Sequence, residues 1–186
     1  MAHHRVCPWW MGYLLLSPIR KWRQDPARIL APYVRAGMCV LEPGPGMGFF
    51  TLEIARLVGP SGRVIAVDVP PRMIEALRRR ARKAGLADRI DARTVSPSSM
   101  ELSGLDAAVD FVVAFAVVHE MPSAASFFLE AARAMKPGAG LLLAEPAGHV
   151  SEEEFQEEIT AARAHGIRVL DRPPVKGCVA ALMRKP

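Results

Sequence analysis

Short apolar runs that end in an acid or a histidine alternate along this chain with longer stretches whose apolar residues recur every three or four positions. Residues 38–41, 63–68 and 109–118 are of the first kind, and continuous apolar runs of that length suit strands covered on both faces. Residues 49–58, 73–83 and 122–135 are of the second kind, which suits helices with one buried side. The repeated order of strand then helix predicts a doubly wound α/β fold around a mostly parallel sheet. Glycines close the helices at Gly59, Gly85 and Gly166. A weaker strand at 89–95, where Asp91 and Arg93 alternate with apolar neighbours, reads as an edge. Lys136-Pro137-Gly138-Ala139-Gly140 reads as a turn into a strand at 141–144. Ser151 and Glu154 form a capping box for the next helix. Strands at 167–170 and 177–183, joined across 172–176, then make an edge hairpin.

Residues 1–37 are expected to form a helical cap of the same domain, with 38–186 as its main body. Ser17-Pro18 and Asp25-Pro26 each place a capping residue before proline, so two short helices should start there. Ile29, Leu30, Tyr33 and Val34 would give the second helix its buried face, and Gly37 its end.

The densest chemical signal is Glu42-Pro43-Gly44-Pro45-Gly46-Met47-Gly48, directly after the first strand. Three glycines at alternate positions allow backbone angles closed to other residues and let a ligand approach the main chain. Dinucleotide enzymes favour Gly-x-Gly-x-x-Gly, and here the third glycine comes one residue early. Glu42 suits an ammonium group better than a pyrophosphate. Asp68 follows Gly46 by 22 residues at the end of the second strand, where a carboxylate with neighbouring Val69 can meet two ribose hydroxyls. A ligand with both a ribose and an amino-acid portion fits these demands.

At these residues the chain resembles the class I S-adenosylmethionine-dependent methyltransferases, whose first motif has the form acid-x-Gly-x-Gly-x-Gly. Asp110 to Glu120 and Met135 to Pro146 look like that family's fourth strand and the turn into its fifth. The resemblance implies a Rossmann-like sheet of seven strands with an antiparallel seventh, and S-adenosylmethionine as cofactor. It implies cofactor contacts at Glu42, Gly44, Gly46, Gly48, Asp68 and Val69, with Phe115 as a wall. Relatives commonly carry an adenine-binding acid where this chain has Ser96, so adenine recognition would rest on Ser96 and nearby backbone.

Two groups of residues could act on the acceptor. His119 and Glu120 follow the fourth strand, where ligands bind in open α/β sheets, and the imidazole could accept a proton or only cap the strand end. Cys7, Trp9, Trp10 and Tyr13 could form a lid that shields a sulfonium, or could wedge the arm onto the domain. Cys7 could touch substrate or a soft metal, or serve as a small hydrophobe.

Composition narrows the rest. At 186 residues, 51% hydrophobic and 23% charged, the chain reads as one globular domain. Cys7, Cys39 and Cys178 form no Cys-x-x-Cys pair, so neither a disulfide framework nor a metal site is expected, and a cytoplasmic setting is the simpler one. No run approaches the ~20 apolar residues of a membrane span. The net charge of +5 gathers in Arg78-Arg79-Arg80-Ala81-Arg82-Lys83. No aromatics interleave there, so a solvated helix face is expected and not a nucleic-acid surface. The leading expectation is methyl transfer to a small-molecule acceptor. An RNA or protein methyltransferase and a non-catalytic cofactor-binding module stand as alternatives.

Overall fold

The computed structural model describes residues 24–186. Seven strands lie in one sheet in the order β3-β2-β1-β4-β5-β7-β6. They are β1 (Cys39–Pro43), β2 (Arg63–Asp68), β3 (Ile90–Thr94), β4 (Val109–Phe115), β5 (Met135–Pro146), β6 (Arg168–Asp171) and β7 (Cys178–Arg184). The helices are α1 (Pro26–Leu30), α2 (Thr51–Val58), α3 (Pro71–Lys83), α4 (Ala124–Ala134) and α5 (Glu152–Ala164). Only β7 runs against the others, antiparallel to both β5 and β6. This is the doubly wound α/β arrangement that the hydrophobic pattern predicts, and β3 takes the predicted edge.

The described chain divides into two compact halves, 24–95 and 96–186. In the first, β1, β2 and β3 pair in parallel, with Leu41 beside Ile65 and Val64 beside Ile90. Every residue of β1 is buried, as its continuous apolar run demands. Helix α3 presses Ile74 and Leu77 onto Ala66 and Ala92. Helix α1 starts as expected, with the Asp25 side chain accepting from the Ala27 amide. It ends at Leu30, well before Gly37, because Pro32 has no amide to continue the ladder and restricts the residue before it.

In the second half, β4 and β5 pair in parallel with Phe115 beside Ala144, and β7 continues the sheet on β5 with Leu142 beside Leu182. Phe127 and Phe128 of α4 and Phe155 and Ile159 of α5 are buried. Both predicted limits of β4 and β5 shift. β5 already begins at Met135, so Lys136, Pro137 and Gly138 belong to the strand, where proline is tolerated at an exposed position. β4 stops at Phe115, since Ala116 takes φ +55° and Val118–Glu120 coil into a short 3-10 turn.

Candidate functional site

In the first half the glycine turn leaves β1 at its carboxyl end and is pinned on both sides. The Gly46 amide donates to Asp68 Oδ2 at 2.9 Å, and the Val69 amide donates to Asp68 Oδ1 at 2.8 Å. From the other side the Arg80 guanidinium donates to the Met47 carbonyl. Gly44, Gly46 and Gly48 all have positive φ, yet they do different work. A Cβ on Gly46 would meet nothing within 4 Å, so that position faces free space. A Cβ on Gly48 would lie 2.4 Å from Leu77 Cδ1, so Gly48 lets α3 close on the turn. Helix α2 begins only at Thr51, after the turn, and not at Phe49.

Glu42 is the last residue but one of β1 and is 4% exposed. Burial pushes its carboxyl up to about 8, the neighbouring Thr51 hydroxyl pulls the other way and, to a smaller extent, the Asp68 charge adds to the rise. Neither Glu42 Oε2 nor Thr51 Oγ1 makes a hydrogen bond of proper geometry. A buried oxygen without a partner is costly and calls for an explanation. A cationic ligand group is one, since it would supply the missing partner and favour the ionised acid.

The basic run of α3 is not the uniform wet face that the sequence suggests. Arg78 donates to the Ala92 carbonyl at 2.6 Å, and Arg80 is half-buried on the turn, with burial holding its pKa below the usual arginine value. Arg78, Arg79, Arg82 and Lys83 are nonetheless exposed.

In the second half, His119 and Glu120 sit in the turn after β4, but the partner of His119 is an acid from β5. His119 Nδ1 lies 2.5 Å from Glu145 Oε2, whereas Nε2 is 4.0 Å from Glu120. Glu145 is fully buried, and its Oε1 accepts from the amides of Val117 and Val118 at 3.3 and 2.8 Å. With one carboxylate oxygen accepting twice, the other accepts from the ring, which assigns the proton to Nδ1. The hydrogen bond to Glu145 raises the His119 pKa, burial opposes it, and the charges of Glu145, Glu120 and Glu158 add to the rise. Glu145 carries no motif of its own. Its signal is positional, an acid just before the closing proline of a buried apolar strand, as Glu42 is in β1.

A cavity of about 350 Å³ opens beside this pair, lined by Val118, His119, Met121, Val150, Glu158 and neighbouring residues. The His149 ring stands 6.0 Å from that of His119. Ser96 is held locally, its amide donating to Glu101 at 2.9 Å and its hydroxyl 3.3 Å from that of Ser98. Phe115 is buried at the end of β4. Cys7, Trp9, Trp10 and Tyr13 lie outside the described residues.

Residues 35–173 match a family model described as a methyltransferase domain. Among curated proteins, the chain is 34% identical over 145 residues to a ubiquinone biosynthesis O-methyltransferase of Methylocella silvestris, covering 77% of this chain and 54% of that protein. It is 32% identical to a ribosomal protein L11 methyltransferase of Pelotomaculum thermopropionicum, covering 78% and 43%. The chain thus spans about half the length of these relatives. A crystal structure of a SAM-dependent methyltransferase from Aquifex aeolicus superimposes with a TM-score of 0.87 at 25% identity, covering 97% of this chain and all of that one.

Proposed function

The chain belongs to the S-adenosylmethionine-dependent methyltransferases, and from that premise we propose that it transfers a methyl group from S-adenosylmethionine to a small-molecule acceptor. The observation that carries the reading is the unpartnered Glu42 Oε2, buried at the root of a glycine turn. Glu42 would take the ammonium end of the cofactor, Asp68 and Val69 its ribose, and the open face of Gly46 would let it lie against the backbone. Ser96 and Phe115 would border the adenine.

When bound, the cofactor supplies a methyl group on a sulfonium, already activated for displacement, so the chain has to align an acceptor and exclude water. Glu145 holds the His119 ring by Nδ1, which leaves Nε2 as the nitrogen that can take the proton an acceptor loses. His119 is the base in this reading and Glu145 its positioning residue.

The cavity beside His119 is of small-molecule size, within the roughly 300–1,000 Å³ typical of such pockets. Arg78 and Arg80 are committed to backbone carbonyls, which weakens the case for an RNA acceptor on α3. Incubation with methyl-labelled S-adenosylmethionine and a fractionated cell extract tests the proposal. Label in a low-mass product is expected. Label confined to RNA or protein would overturn the small-molecule acceptor. Binding of S-adenosylhomocysteine with no transfer to any fraction would favour a non-catalytic role.

A further inference from the structure

The cavity of the second half holds a feature that cofactor binding does not use. Glu158, on α5, lines it and is 7% exposed, yet its Oε2 has no hydrogen-bond partner. The groups around it come from several elements. The turn after β4 brings His119, β5 brings Glu145, the loop after β5 brings His149, and α5 itself brings Glu154 and Glu157. Glu154 is committed to the helix cap, accepting from the Ser151 amide at 2.8 Å and its hydroxyl at 2.9 Å. Glu157 is exposed. Among the described residues no lysine or arginine lines the cavity, and Val118, Met121, Pro122, Ala124 and Val150 form its apolar wall.

Such a lining discriminates by charge. A carboxylate or phosphate ligand would enter beside Glu154 and Glu157 and against the unpartnered Glu158 oxygen, with only the His119 and His149 imidazoles of the described lining to offset them, and would be disfavoured. A neutral hydroxyl could donate to Glu158 but would leave the surrounding negative charge unanswered. An ammonium group satisfies the orphaned oxygen with a charge-assisted hydrogen bond and balances the field as well. We propose that the methyl acceptor is a small organic amine and that Glu158 is the residue that anchors its cationic nitrogen. This substrate class rests on the methyltransferase reading, while the binding event itself stands on the cavity alone.

Burial and the Glu145 and Glu154 charges push the Glu158 carboxyl up to about 8, against the pull of His119. At pH 7 the acid is then mostly protonated, and a bound ammonium makes it ionise. Binding therefore releases protons.

Titration calorimetry at pH 7 tests this with three probes of one shape, 2-phenylethylamine, 2-phenylethanol and phenylacetate, in buffers of different ionisation enthalpy. The amine is expected to bind at least tenfold more tightly than phenylacetate and to release a proton. Glu158→Gln is expected to remove that preference and the release. Equal binding of phenylacetate, a preference that survives Glu158→Gln, or binding of none of the probes would overturn the inference. Should the variant not fold, the proton count of the unaltered protein decides alone. A parallel titration with S-adenosylhomocysteine separates the two readings. Cofactor binding with no amine preference refutes the amine and leaves the methyltransferase, whereas amine binding with no cofactor binding does the reverse.

Discussion

His119 and Glu145 lie 26 positions apart in sequence and 2.5 Å apart in space, because β4 and β5 are parallel neighbours and Glu145 follows directly on the Ala144 that pairs with Phe115. The pair has a defined pH signature. A histidine whose folded pKa is raised above its ordinary 6.5 binds its proton more tightly when folded. Its contribution to stability is therefore full below about 6.5 and is lost as pH rises through the folded value. Proton NMR titration of His119 should show a pKa above the ordinary value, and Glu145→Gln should lower it and cut turnover on the true acceptor by tenfold or more. An unchanged His119 titration in that variant would break the assignment.

Glu42 and Glu158 carry the same sign for a different reason. Both are carboxyls pushed up to about 8 by burial, so between 4.5 and about 8 the folded chain holds protons that the unfolded chain has released. Stability should fall as pH rises through that window, by roughly 1.4 kcal/mol per pH unit for each fully affected group. Thermal unfolding of the ligand-free protein from pH 5 to 9 measures this. Glu42→Gln and Glu158→Gln should each flatten the slope and raise the melting temperature at pH 8. A slope unchanged in both variants would count against their burial as neutral acids.

Asp68 serves two masters. It caps the Gly46 and Val69 amides and, in the proposed function, faces the ribose. Asp68→Ala should weaken S-adenosylhomocysteine binding by about tenfold or more, the scale of one charge-assisted hydrogen bond or two. Asp68→Asn keeps an acceptor for one amide and should lose less. Equal affinity of all three proteins in titration calorimetry would remove Asp68 from the site.

The last two glycines of the turn should respond differently to alanine. Gly48→Ala puts a Cβ against Leu77 at φ +84°, so chemical denaturation should show a loss of several kcal/mol, from overpacking together with strain. Gly46→Ala meets no neighbour and bears only the strain of φ +54°, about 1–2 kcal/mol. Its larger effect should fall on S-adenosylhomocysteine affinity, because the methyl group occupies the space the ligand would fill. Equal losses of affinity in both variants would mean that the turn tolerates no change of any kind, and would withdraw the separate role of Gly46.

Much of the glycine turn was legible from residue types alone. Glu42, the glycines and Asp68 announce themselves by spacing, since a turn that needs positive φ restricts composition locally. The His119 cluster was legible only in part. His119 stands out after β4, but its neighbour in sequence, Glu120, is not its close partner, and Glu145 looks like an ordinary strand end. The run of basic residues on α3 suggested a solvated face, and nothing in its pattern shows that Arg80 reaches back 33 residues to the Met47 carbonyl.

Taken by itself, the sequence determined what depends on near neighbours along the chain: the alternation of strand and helix, the glycine turn, the Asp25 and Ser151 caps, and the exposed third strand. Periodicity and backbone freedom act over a few residues and leave their mark in composition. Only the tertiary structure decided which acid orients His119, which glycine faces open space and which packs on Leu77, and that Glu42 and Glu158 are buried with an oxygen unmet. Those outcomes hang on which strands become neighbours and in what register, and strand order in a parallel sheet is set by packing between segments far apart in the chain.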